Sequence, residues 1–368
     1  MLILTVNVGS ASVRLCAHGS EAEKFRLRAA SHLGHDAPLE PAAALAQFLK
    51  WHGLPTPDAV VHRVVNGGAE LRAPARLDGH AEQLLESLAP LAPLYSPHAL
   101  AWLRATRALP GSPPTFAVPD TGFFADLPPE ATTYPLPREL TERLGLRRFG
   151  FHGLAHRSML RAFQALRPEL RQGGKVVTLQ LGSGSSATAI QDGKPVDTSM
   201  GFSPLEGLVM ATRAGDLDPG VILHLLRRGG MDAEALEHLL QHDSGLLGLS
   251  GLSGDVRTLR ATQTAAAQLA LDVYTRRARK YLGGYLALLG GADGIVLGGG
   301  VAEDDPDTRA AILANLEPLG IAFDAEANRD GRGRPLQLST EESPTQIWLV
   351  AVDEAMEMLL EVAPLLPR

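Results

Sequence analysis

The same succession of apolar and polar positions occurs at two distant places in the chain. Leu2 to Val6 is an apolar run broken only by Thr5, and after polar Asn7 to Ser12 the residues Val13, Leu15 and Ala17 alternate with Arg14, Cys16 and His18. A period of two on either side of a short polar break predicts strand, tight loop, strand. Val176 to Leu181, then GSGSS, then Ala187 to Ile190 repeats it, closing on a hairpin turn at Asp192-Gly193. The loops align as Gly9-Ser10-Ala11-Ser12 and Gly182-Ser183-Gly184-Ser185, which suggests a duplicated α/β fold whose halves face each other across a cleft.

Helical spacing is expected over Glu40 to His52 and Ala81 to Ala89. Leu109 to Pro137 is rich in proline and reads as mostly irregular, apart from a short strand near Phe116 to Val118. Ala266, Ala270, Val273, Tyr281, Tyr285 and Leu288 fall near one side of a long helical pattern that Arg277 interrupts. Ile295 to Leu297 predicts a strand ending in Gly298-Gly299-Gly300, Ile347 to Val350 a last strand, and Glu354 to Leu360 a terminal helix. Strands alternating with helices argue for α/β layers rather than a bundle or a sandwich.

Composition narrows the class. A chain of 368 residues allows two or three domains, and 45% hydrophobic with 20% charged residues at a net charge of -7 fits a mildly acidic globular protein. Disorder and collagen-like character are excluded, and neither nucleic acid nor membrane is expected as a partner. The single cysteine, Cys16, rules out an internal disulfide or a cysteine-built zinc site and suggests a reducing compartment. MLILTV runs straight into polar NVGSAS without a secretory pattern, and no stretch approaches the roughly 20 apolar residues of a membrane span, so the cytoplasm is the expected location. The 38 glycines and 26 prolines call for an explanation.

Glycine- and serine-rich loops after strands suit phosphate, because backbone N–H groups converge where no Cβ intrudes and hydroxyls add donors. Three stand in register with strands, at Asn7 to Ser12, Leu181 to Ser186 and Gly298 to Gly300, and point towards a bound nucleotide; three hairpin turns are the alternative. Arg63 in HRVVNGG and Arg213 in MATRAGDLDP are candidate anion binders, since a guanidinium fork matches carboxylate or phosphate. In FGFHGLAHR, His152 and His156 stand four apart, yet no HExxH glutamate accompanies them and Phe-His-Gly resembles a loop, so shared metal binding is not expected. Asp120 in VPDTGFF and Glu354 in VAVDEAM are candidate Mg²⁺ contacts. The block from Asp197 to Pro219, DTSMGFSPLEGLVMATRAGDLDP, mixes apolar residues, glycines, Arg213 and acids without helical or strand periodicity, as expected of backbone shaped around a ligand.

That block closely resembles the acetate kinase family, within the superfamily of sugar kinases, Hsp70 and actin. The resemblance continues in order through NVGSAS, HRVVNGG, APLYSP, PDTGFF, LRRFGFHGLAH, LGSGSS, SGLLGLSGLSGDVR, GGVAED and VDEAM. It implies two ribonuclease H-like (actin-like ATPase) domains facing across a nucleotide cleft, residues 1–124 with 355–368 forming one and 125–354 the other. It also implies reversible transfer of the γ-phosphoryl group of ATP to acetate or another short-chain carboxylate, with Mg²⁺ or Mn²⁺, in a homodimer.

By the same resemblance, Arg63 and Arg213 would grip the carboxylate and the transferring phosphoryl, while His152 donates to its equatorial oxygens. Asn7 and Asp120 would order metal and phosphates, with Glu354 as the metal partner. Val65, Leu94, Phe151 and Pro204 match the pocket for the acetate methyl. Ser10, Ser12, Arg14, Gln180, Gly182, Ser183 and Gly184 belong to the phosphate loops, and Asp255, Arg257, Gly299, Gly300, Val301 and Asp304 border the adenosine site. The chain departs from the family where Gln180 and Ser183 replace the usual His and Asn, Asn66 a His, Tyr95-Ser96 a His-Asn pair, Phe124 a His, Leu154-Ala155 Thr-Ser, and Asp304 an Asn. Two readings remain: a working carboxylate kinase, or a catalytically weak paralogue that binds nucleotide or a partner.

Overall fold

The first period-two run forms β1 (Leu2–Val8), a strand whose neighbours alternate in sense. It pairs antiparallel with β2 (Ser12–Glu21) and parallel with β4 (Ala59–Val64); β3 (Lys24–Gly34) lies antiparallel to β2, β6 (Thr115–Pro119) parallel to β4, and β5 (Ala75–Arg76) antiparallel to β6. The computed structural model describes residues 1–9, 12–21, 24–34, 40–77, 79–87, 96–171 and 173–366. Its chain divides into two units, one comprising Met1–Ala125, Phe151–Leu154 and Asp353–Arg368, the other Asp126–Gly150 and Ala155–Val352.

The second unit repeats the plan of the first. β7 (Lys175–Leu181) pairs antiparallel with β8 (Ser185–Gln191) and parallel with β10 (Gly294–Gly298), with β9 (Lys194–Thr198) beside β8, β12 (Gln346–Leu349) parallel to β10, and β11 (Leu336–Gln337) antiparallel to β12. The order β3-β2-β1-β4-β6-β5 thus matches β9-β8-β7-β10-β12-β11 strand for strand. Even the irregularity between the second and third strands recurs, at Ala17/His18 and at Ala189/Ile190. Two sheets of one design bear out the duplicated α/β fold expected from the twin loops.

Side-chain alternation decides what each face of the first sheet carries. Leu4, Val6 and Val8 pack with Ala44, Leu45 and Phe48 of helix Pro41–Trp51, while Ile3, Val61 and Val118 pack with Met358, Leu359 and Val362 of helix Glu354–Val362. Each such buried aliphatic side chain contributes about 1.5–3 kcal/mol of transfer free energy. Asn7 shares the face of Ile3 and Thr5, so the period of two sends it towards the start of helix Glu354–Val362.

Several elements differ from the periodicity reading. Strands β3 and β4 and helix Ser96–Arg107 were not expected. All six residues of β4 are buried, so alternation gives no signal there. The strand expected near Phe116 to Val118 is β6, and the Leu109 to Pro137 stretch adds to it a 3₁₀ turn Asp120–Phe124 and a short helix Pro129–Thr132 with a proline in its first turn. The helix expected to end at Ala89 is Gly79–Ser87, and Ala89 lies outside the described residues. In helix Ala265–Leu289 the buried side is Ala267, Ala270, Leu271, Tyr274, Ala278, Leu282, Tyr285 and Leu289, whereas Ala266 and Leu288 are exposed. Apolar residues lie all round this helix, and packing on β7 and β8 selects the frame. Arg277, which breaks the expected stripe, donates to the carbonyls of Gly207 and Asp216. No described helix is long and apolar enough to cross a membrane.

Candidate active site

In the first unit, parallel pairing of β1 with β4 sets Arg63 beside Asn7, and β6 ends at Pro119 so that Asp120 follows at the same sheet edge. Asp120 is fully buried. Its Oδ2 accepts from Arg63 Nε at 3.2 Å, from Arg63 Nη2 at 2.5 Å and from the His152 backbone at 3.1 Å, and its Oδ1 accepts from the Leu154 backbone at 3.2 Å. Two donors from one edge of the guanidinium thus converge on a single carboxylate oxygen, a charge-assisted pair. With four donors on its two oxygens, Asp120 fixes Arg63 and the Phe151–Leu154 backbone.

The rest of the cluster grows from Arg63. Its Nη1 donates to Asn7 Oδ1 at 3.0 Å and stands 4.0 Å from Glu354 Oε2, while Asn7 Nδ2 donates to the same Glu354 oxygen at 2.6 Å. Glu354 opens its helix behind the N-cap Asp353, whose side chain accepts from Met356 N, and the positive helix end favours its charge. His152 has φ 59°, which confirms the loop reading, and Gly153 is obligatory because a Cβ there would lie 1.9 Å from the Asp120 carbonyl. The five residues Asn7, Arg63, Asp120, His152 and Glu354 therefore meet in one unit.

Among the pocket residues, Phe151 is buried, and Val65 borders a cavity of about 30 Å³ with Val64, Leu77, Leu85 and Leu100. Asn66 lines it too, its Nδ2 buried without a hydrogen-bond partner among the described residues. Leu94 and Ser10 lie outside the described residues. Ser12 accepts from Gly9 N at 2.8 Å, closing the first loop, and Arg14 is exposed on β2.

In the second unit, Gly182 N donates to Gly184 O at 3.0 Å and Ser183 O accepts from Ala211 N at 3.0 Å, tying the loop to the segment that carries Arg213. Arg213 is buried and its Nη1 donates to Pro204 O at 2.6 Å, which brings together two residues singled out in the sequence. Gln180 faces Gly299, where φ is 89° and a Cβ would lie 2.8 Å from Gln180 Nε2; its Oε1 is buried with no partner among the described residues. Gly300 starts the short helix Gly300–Asp304, which includes Val301 and ends in exposed Asp304.

Asp255 caps helix Val256–Thr262, and the Thr258 backbone N–H, followed by the Arg257 guanidinium, holds its carboxyl below the usual range. The cap alone accounts for that residue type. His156 is fully buried between the Thr178 and Ser186 hydroxyls, at 2.7 and 2.8 Å, so it is a satisfied core histidine.

Mg²⁺ commonly takes one or two carboxylates and keeps several waters. The donor set of Glu354 beside Asn7 fits that demand, whereas no group of three or more His, Cys, Asp or Glu among the described residues forms a protein-only cage. Sequence reading missed how Asp120 works: its motif marks it, but only the fold shows that it locks Arg63 and the Phe151–Leu154 turn together.

The acetokinase family model matches residues 44–360. The chain is 36% identical to the acetate kinase of Solibacter usitatus over 97% of its own length and 96% of that protein. Among solved structures it is similar to Porphyromonas gingivalis acetate kinase, at 31% identity and a TM-score of 0.88 over all of both chains. It is also similar to a Francisella tularensis propionate kinase, at 27% identity and a TM-score of 0.87 over 98% of both. With its duplicated sheets, its Asn7–Arg63–Asp120–Glu354 cluster and near-complete coverage of these relatives, the chain belongs to the acetokinase family.

Proposed function

We propose that the protein is a kinase that transfers the γ-phosphoryl group of ATP to acetate or another short-chain carboxylate, reversibly, giving an acyl phosphate and ADP. One oxygen of the acid attacks the γ-phosphorus in line as the bond to the β–γ bridging oxygen breaks. A carboxylic acid is already ionised near neutral pH, so no general base has to remove a proton. What remains is to hold two anions together and neutralise charge spread over the equatorial oxygens.

The single observation that carries this reading is the fixed guanidinium of Arg63, whose orientation is set by buried Asp120 within a family match across most of the chain. Arg63 takes the carboxylate, Val65 and Phe151 face its alkyl group, and His152 donates to the transferring phosphoryl. Asn7 and Glu354 would hold Mg²⁺, which when bound neutralises phosphate charge. In the second unit, the loops at Gly182–Gly184 and Gly299–Val301 take the nucleotide, and Arg213, held by the Pro204 carbonyl, is that unit's candidate for a phosphate oxygen. A homodimer and a cytoplasmic location belong to the same proposal.

A hydroxamate assay with ATP, Mg²⁺ and a panel of two- to five-carbon acids tests it. Acyl hydroxamate should form with at least one acid. Intact ATP binding without turnover on any acid would leave the weak paralogue as the correct description.

A further inference from the structure

Helix Ala233–His242 in the second unit carries His238 and His242 one turn apart, and both are exposed. Their ring centroids are 4.8 Å apart at 37°. Two imidazoles sharing one tetrahedral zinc, at Zn–N bonds of about 2.0–2.1 Å, place their centroids roughly 5 Å apart. The rings thus stand at the separation a shared metal would impose.

The surroundings favour a cation as well. His238 Nδ1 lies 3.0 Å from Asp243 Oδ2, a contact that assigns the proton to Nδ1 and leaves the Nε2 lone pair for a metal. This is the carboxylate–histidine arrangement that orients metal ligands. The carbonyl end of the helix carries partial negative charge, and Glu234, one turn before His238, adds more. Imidazole ligands select a zinc-like transition ion over Mg²⁺, which prefers oxygen.

The same turn holds the Arg213 segment. Ala214 N donates to Leu240 O at 3.1 Å, and Thr212 Oγ1 donates to Gln241 O at 2.8 Å. Ser244 closes the connection, donating from its N to Thr212 O at 2.9 Å and from its Oγ to Leu239 O at 2.7 Å. Both neighbours of Arg213 are therefore hydrogen-bonded to carbonyls that lie between the two histidines. We infer that His238 and His242 form a surface site for a zinc-class divalent ion, with water completing the coordination, and that metal binding clamps this turn and steadies the Arg213 segment. An ion that binds only the ordered turn stabilises it by mass action.

The test is calorimetric titration of Mg²⁺-saturated protein with ZnCl₂, alongside hydrogen exchange of the amides from Ala211 to Gly215. One Zn²⁺ site is expected that His238→Gln or His242→Gln removes, and that Asp243→Asn weakens about 10- to 100-fold. Exchange at Arg213 and Ala214 should slow with Zn²⁺ in the unmodified protein and not in His242→Gln. Glutamine is a good helix former at these exposed positions, so the variants keep the fold. The inference is overturned if no site tighter than about 1 mM is found, if His242→Gln binds Zn²⁺ as the unmodified protein does, or if exchange in the Arg213 segment is unchanged. Neither readout uses turnover, so the site stands or falls apart from the kinase reading.

Discussion

Asn7 and Gln180 hold equivalent places, each the penultimate residue of the strand that pairs with its sheet's first hairpin partner and its parallel neighbour. Their side chains live differently. Asn7 spends both ends of its amide on the protein, donating to Glu354 and accepting from Arg63, whereas the Gln180 oxygen is buried with no partner among the described residues. A buried acceptor left unpaired costs about 1–3 kcal/mol, and such groups persist where function calls for them. One copy of the fold thus ties its corner amide to the side chains proposed to meet metal and carboxylate, while the other leaves its corner acceptor unpaired among the described residues. Duplication preserved the scaffold and let the two corners specialise.

The largest effect expected in breaking this contrast is at Asp120. Asp120→Asn removes the charge that locks Arg63, and loss of one partner of a buried pair costs about 3–5 kcal/mol. Denaturant unfolding should show that loss, with kcat/KM down about 100-fold or more through misplacement of the guanidinium. Next comes Arg213→Lys, expected to lower kcat/KM about 100- to 1000-fold because a point charge cannot replace a fork. Near-normal kinetics would put Arg213 outside the chemistry.

Gln180→His sharpens the comparison in the opposite direction. It restores a ring donor at the second corner and should raise kcat, by up to about 100-fold. An equal or lower steady-state rate would mean that glutamine already matches its site.

The twin corners were legible in the sequence because each couples strict alternation to a glycine–serine break. Motifs of unusual composition also singled out Arg63, Asp120, His152 and Arg213, and the fold brings Arg63, Asp120 and the His152 backbone together. The strand that carries Arg63 was not: all six residues of β4 are buried, and a continuous buried run has no face to reveal. Nor did spacing disclose that Gly153 is there to let the chain approach the Asp120 carbonyl, since close approach of distant backbone leaves no local signal. Helix Ala265–Leu289 shows the converse case, where apolar residues on several sides made the period clear and its phase wrong.

The smallest predicted effect separates the units by pH. His62 is buried against Thr106, and desolvation, aided by the charge of Arg107, pushes its pKa from 6.5 down to about 3. A depressed histidine pKa means the unfolded chain binds the extra proton, so stability is complete above pH 6.5 and falls progressively as pH drops towards 3. At pH 5 the loss from this group is about 2 kcal/mol. His62→Gln should flatten that slope in urea titrations monitored for the first unit and leave the second unit's transition unmoved.

Single-turnover transfer from γ-labelled ATP to acetate, with Mg²⁺, tests the central claim most directly when Arg63→Ala is run beside the unmodified protein. The account predicts labelled acetyl phosphate from the unmodified protein and a loss of about 100-fold or more in the variant, with ATP affinity retained. Equal transfer rates in the two proteins would contradict it.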